Sequence, residues 1–157
     1  MTHDQPSSGD DALARHRAAI DALDREILER LSERARHALA IGALKGGGGA
    51  YRPERETQVL TALHARNAGP LPAAAVTGVF REIMSACRAL EQTLRVGYLG
   101  PAGTFSHAAV AKHFGTQVEA VPFPTFDEVF RAVESGQTEY AVVPVENLFL
   151  INPSHVD

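Results

Sequence analysis

Arg17, Arg34 and Lys45 are the first residues whose types and spacing suggest chemistry. At about 100° of turn per helical residue, Arg34 and Lys45 point within about 20° of one another. With Arg17 they read as one cationic stripe bordering an apolar seam. A solvated helix face accounts for such a stripe, but beside an apolar seam long cationic side chains are ordinarily paired or bound to an anion. The chemistry would be the binding of a small anion by a few selected cationic side chains. Arg55 and Glu56 form a second group, read either as part of that site or as charges suited to the start of a helix. A third is the GPAGT turn, where Gly100, Gly103, Thr104 and Ser106 stand between a strand and a helix N-terminus. That is a natural carboxylate or phosphate site, or a plain strand-to-helix turn. Cys87 by itself reads as a small buried apolar residue. His107 and His113 lie off a metal-ligand spacing and read as ordinary surface histidines, so no metal site is expected.

These residues need elements to carry them. From about Asp11 to Lys45, Ile20, Leu23, Ile27, Leu31, Ala35, Ala38 and Ile41 recur at spacings of three and four with charges opposite, which predicts one long helix. At 1.5 Å per residue it forms a rod of about 50 Å, the kind that packs against a partner chain. Gly46 to Gly49 end it. Pro53 opens a second helix with Glu54 and Glu56 in its first turn, and Asn67, Gly69 and Pro70 stop it. A third runs from near Pro72 through Val76, Phe80, Ile83, Met84, Cys87 and Leu90. At Leu94 the texture changes: LRVGYL, Val118 to Val121 and Tyr140 to Val145 are strand-like, with helical Phe105 to Phe114 and Phe126 to Glu134 between them. This alternation predicts βαβαβ with a parallel sheet. The expected architecture is thus an all-α, three-helix segment followed by a partial α/β domain, with the boundary at residues 92–93.

Composition narrows the function. Apolar residues make up 45% and charged residues 22% of 157, enough for a folded core. A single cysteine rules out a disulfide framework and a multi-cysteine zinc site within one chain. No apolar run approaches the roughly 20 residues of a membrane span, and residues 1–11 lack a secretory signal; the chain is expected to be soluble and cytoplasmic. Residues 1–92 balance twelve basic against twelve acidic side chains, while the remainder holds three against seven. Neither part has the basic excess that nucleic acid requires.

The runs IDALDREILERLSERARHALAIGALK, YRPERETQVL and FREIMSACRALEQ resemble the chorismate mutase domain of the bifunctional chorismate mutase/prephenate dehydratase family, over about residues 12–92. The resemblance implies an intertwined helical homodimer with active sites shared between chains, acting on chorismate to give prephenate in phenylalanine biosynthesis. It implies that Arg17 reaches into the partner's site, that Arg34 binds a substrate carboxylate in its own chain, and that Lys45 hydrogen-bonds the ether oxygen of the breaking bond. Arg55 and Glu56 match the pair that opens the second helix, with Glu56 at the substrate hydroxyl. Cys87 falls where members carry a serine, and Glu91 where they carry Gln or Glu beside the ether oxygen. The rearrangement is unimolecular, so no cofactor or metal is required; compression of a dicarboxylate and stabilisation of charge on the ether oxygen suffice. Glu91 helps only when protonated, since a carboxylate would repel that charge. Two departures stand out: the loop after Lys45 is shortened to GGGGA, and Arg52 replaces an acidic substrate contact of some members.

Residues 94–147, RVGYLGPAGTFSHAAVAKHFG through VVPVEN, resemble the start of the prephenate dehydratase domain, with Glu146 and Asn147 leading toward its substrate cleft. Residues 148–157 leave the family pattern and read as a divergent tail, suggesting a frameshift or truncated reading frame, and residues 1–11 read as disordered. With half a cleft, the dehydratase reaction and phenylalanine feedback are expected to be absent, while the mutase needs nothing beyond residue 92. The competing reading is a non-catalytic helical dimerisation module whose site the GGGGA loop has spoiled.

Overall fold

In the computed structural model, residues 8–45, 51–145 and 148–151 are described, and the side chains of Ser8 and of 148–151 are left aside. The order is α1 (Ser8–Leu44), α2 (Pro53–Arg66), α3 (Ala73–Ala89), β1 (Arg95–Leu99), α4 (Phe105–Phe114), β2 (Glu119–Phe123), α5 (Phe126–Glu134), β3 (Tyr140–Pro144) and β4 (Leu148–Ile151). The predicted helices and strands are all present. By packing, the chain divides between His37 and Ala38 into two units.

The first unit is the N-terminal part of α1, a helix of 37 residues. It begins at Ser8 rather than Asp11, with Asp10 and Asp11 in its first turn, where their charges complement the helix dipole. Residues 8–11, expected to be disordered, are therefore helical. The one-stripe reading needs a correction here. Seventeen residues of unbroken helix leave a net rotation of about 100°, so Arg17 points more than a quarter turn away from Arg34.

The second unit holds the sheet, in the order β2-β1-β3-β4. β1 pairs in parallel with β2 and with β3, giving the expected βαβαβ. The stretch read as a divergent tail adds an antiparallel fourth strand, with Val142 opposite Leu150 and Val143 opposite Phe149. An apolar LFLI run can pair with VVP wherever the chain can turn back, and antiparallel edge strands on parallel sheets are common. β2 runs on through Pro122, tolerated because β2 is an edge strand.

Alternation along the strands divides the core between the two faces of the sheet. Val96, Tyr98, Tyr140 and Val142 join Val110 and Phe114 of α4. Ala141 and Val143 join Val129 and Val133 of α5. Tyr51, from the stretch before α2, is buried in the α4 cluster.

α2 and α3 are tied together by His64 Nε2 and Thr77 Oγ1, 2.8 Å apart, and α3 is fastened to the end of α4. Arg81 and Arg88 donate to the carbonyls of Lys112 (2.8 Å) and Phe114 (2.7 Å), supplying cations to the negative end of that helix. Gly115 then turns the chain at φ +82°, a conformation only glycine adopts cheaply. A side chain there would also collide with buried Ser85 of α3. Glu82 accepts from Thr116 N (3.1 Å) and Oγ1 (2.7 Å), and Ser85 Oγ from Gln117 N (3.2 Å).

Candidate active site

At the C-terminal end of α1, Gly42 is buried, and the Glu91 carboxylate from just beyond α3 occupies the space a side chain at 42 would need. Lys45 lies three residues on, about one helical turn, where its amide closes the helix on Ile41 O (3.2 Å) and Gly42 O (3.1 Å). Two of the expected substrate contacts, Lys45 and Glu91, thus come from neighbouring positions, and the absence of a side chain at Gly42 permits it. Lys45 is exposed and Glu91 half-buried.

α2 places Arg55 and Glu56 differently from one another. Arg55 is exposed, 3.4 Å from Gln58 Oε1. Glu56 turns inward to an ion pair with Arg88 of α3, their side chains 16% and 10% exposed. The same guanidinium donates to Phe114 O and lies over the Tyr51 ring, 5.0 Å from its centre. Tyr51 shares a 2.8 Å hydrogen bond with His113 Nε2, and its carbonyl accepts from Tyr140 OH at 3.3 Å.

Burial, reinforced by the Glu56 charge, pushes the Tyr51 phenol far above the ordinary tyrosine range. Burial, helped by the Arg81 and Arg88 charges, lowers His113 from 6.5. The pair is therefore a neutral phenol against a neutral imidazole, which suits a site already holding a buried arginine.

Cys87 is buried on α3, four residues before Glu91. Arg17 and Arg34 belong to the other unit, Arg17 exposed and Arg34 half-buried on α1. Residues 46–50, the GGGGA loop, lie outside the described residues, as do Glu146 and Asn147. Among the described residues no cluster of three or more His, Cys, Asp or Glu could hold a metal ion.

In the GPAGT turn several polar groups are already engaged. Gly100 N donates to Phe123 O at 2.8 Å. Gly103, at φ +84°, donates to His107 Nδ1 at 3.1 Å. Thr104 caps α4, its hydroxyl accepting from His107 N at 3.4 Å. Ser106 is buried. His107, half-buried, stacks on Tyr98, 4.9 Å between centres and 5° from parallel; His113 is at the surface as expected, but its ring is engaged by Tyr51.

Sequence reasoning missed Tyr51, Arg88 and His113. The available signal for Arg88 was its helical spacing from Arg81 and Ser85, between Cys87 and Glu91 in the sequence. Tyr51 and His113 are 62 positions apart, and no local pattern announces such a pair.

Residues 16–92 match the chorismate mutase type II family, and residues 96–149 match the prephenate dehydratase family. Over 138 residues, 88% of this chain and 38% of the relative, the sequence is 52% identical to the bifunctional chorismate mutase/prephenate dehydratase of Neisseria gonorrhoeae. It is 51% identical to that of Pseudomonas aeruginosa (87% of this chain, 40% of the relative) and 33% identical to that of Escherichia coli K12 (83% and 39%). The chain belongs to the bifunctional chorismate mutase/prephenate dehydratase family. It spans about two fifths of the length of these curated relatives.

Set on the geometry, the mutase match runs along α1, α2 and α3 and contains Tyr51, Glu56, Arg88 and Glu91, while the dehydratase match contains His113, Phe114 and Tyr140. The Tyr51–His113 and Arg88–Phe114 bonds therefore join the mutase region to the dehydratase region. No helix among the described residues is long and apolar enough to cross a membrane.

Proposed function

We propose that this chain rearranges chorismate to prephenate. The observation that carries the reading is the ordered match of residues 16–92 to type II chorismate mutases, since every residue assigned to the substrate falls within it. In the reaction one carbon–oxygen bond breaks and one carbon–carbon bond forms inside a single molecule, and no group is transferred to or from the protein. Arg34, with Arg17 from a second chain, holds the carboxylates; Arg55 adds positive charge; Glu56 takes the substrate hydroxyl. Lys45 donates to the ether oxygen as negative charge grows there, and protonated Glu91 donates beside it. Cys87 lines the same face. The close approach of Glu91 to Gly42, one turn from Lys45, supports the pairing of these two donors.

The functional form in this reading is a homodimer. Ile20, Leu23, Ile27 and Leu28 of α1 are all more than half exposed on the single chain, and a paired α1 would bury them.

Loss of chorismate, with prephenate as the product, tests the reading. Arg34→Ala and Lys45→Ala are each expected to lower kcat/KM by about a hundredfold or more. A dimer that leaves chorismate unchanged would sink the enzyme reading in favour of a helical dimerisation module. A polypeptide of these 157 residues is expected to form no phenylpyruvate from prephenate, and its appearance would restore the second activity of the family's name.

A further inference from the structure

The geometry points to Arg88 as a positioning residue that sets Glu56 for the substrate, held in turn by the α/β segment. This rests on the mutase reading above, in which Glu56 takes the substrate hydroxyl.

Glu56 is in the first turn of α2. Its carboxylate is engaged by the ion pair with Arg88, two side chains largely out of water. A carboxylate paired with a largely buried guanidinium is held in a set orientation by a strong charge-assisted bond.

Arg88 in turn has partners on three sides. Glu56 takes one terminal nitrogen, Phe114 O takes the other at 2.7 Å, and the Tyr51 ring covers its face. Arginine's planar fork can serve all three at once; lysine cannot. The Tyr51 ring is itself fixed by His113 at 2.8 Å and packed edge-on against Tyr140, 5.3 Å between centres. Phe114, His113 and Tyr140 all belong to the α/β segment. That segment therefore acts on the mutase site through two residues, Tyr51 and Arg88, without touching substrate.

A substitution cycle on the full chain tests this, with chorismate turnover measured for Arg88→Leu, Glu56→Gln and the double variant. Arg88→Leu is expected to lower kcat/KM by about tenfold to a hundredfold, the scale of misplacing a binding group, and Arg88→Lys to recover only part of it. In the Glu56→Gln background, Arg88→Leu is expected to cost less than about twofold, because residues acting through one another are not additive. Effects that multiply, or an Arg88→Leu enzyme within about twofold of the parent, would overturn the proposal. If Arg88→Leu does not fold, the same cycle with Arg88→Lys decides.

Hydrogen exchange separates failure of this inference from failure of the mutase reading. Arg88→Lys is expected to speed exchange in the first two turns of α2 while leaving β1 and β3 protected, whether or not chorismate is turned over. A parent chain without turnover refutes the mutase reading; unchanged exchange in α2 refutes the tether.

Discussion

The two units of the chain differ in whether they gather apolar residues into a core of their own. In the second, Phe114, Val96, Tyr98 and Val129 are essentially inaccessible, gathered on two faces of a sheet. In the first, Ile27 is 55% and Leu28 65% exposed along a helix of the same chain. One unit completes its core from its own sequence, and the other displays a face that one copy leaves in water. Apolar side chains thus close a core in one place and remain an open helix face in the other.

The sharpest way to break this contrast is to damage the self-contained core. Phe114→Ala removes a ring with no exposed surface and is expected to cost about 3–5 kcal/mol, read from urea unfolding followed by tyrosine fluorescence. A loss under about 1 kcal/mol would mean that α4 contributes little to the core.

Next in size is a charge on the exposed face. Ile27→Asp is expected to weaken self-association by about thirtyfold or more in sedimentation, while leaving the urea midpoint of the sheet unit where it was. Association that survives the charge would remove α1 as the dimer seam.

The smallest effect sharpens the comparison inside the second unit. His113 is held below its ordinary 6.5 by burial and by Arg81 and Arg88, so above about pH 6.5 it is neutral whether the chain is folded or unfolded, and its contribution is complete. As pH falls further the unfolded chain takes up the proton first, and that contribution is lost as pH passes through the folded-state value. The stability advantage of the parent over His113→Asn is therefore expected to shrink between pH 7 and 5 in thermal melts. A gap that stays constant would show that the ring does not titrate differently in the two states.

Much of the fold was legible because its signals are local. Apolar spacing marked the three helices, Pro53 marked the start of one, and alternating strand and helix marked the βαβαβ unit. The misses are of two kinds. Ser8 to Asp11 and β4 were lost where short stretches depend on context: a helix already nucleated downstream in the first case, and an available strand edge in the second. Tyr51, Arg88 and His113 were lost because their meaning depends on partners far away in the chain. Lys45 was singled out by its spacing from Arg34 and Glu91 by motif resemblance, but the bare backbone at Gly42 that lets Glu91 approach carries no mark in the sequence beyond a glycine inside a helix. Arg17 was placed on the Arg34 line by spacing, and the helix geometry moved it off.

Pro122 has a consequence for how the molecule behaves in a crowd. Glu119 N–H and Phe123 C=O both bond inward, to Leu94 and Gly100, so by alternation the Pro122 nitrogen faces outward from the sheet. That edge of β2 offers an incoming strand a row of donors broken at its middle. A neighbouring chain seeking to extend the sheet finds no hydrogen to accept there, and the open side of a small sheet is guarded against edge-to-edge aggregation by one imide ring.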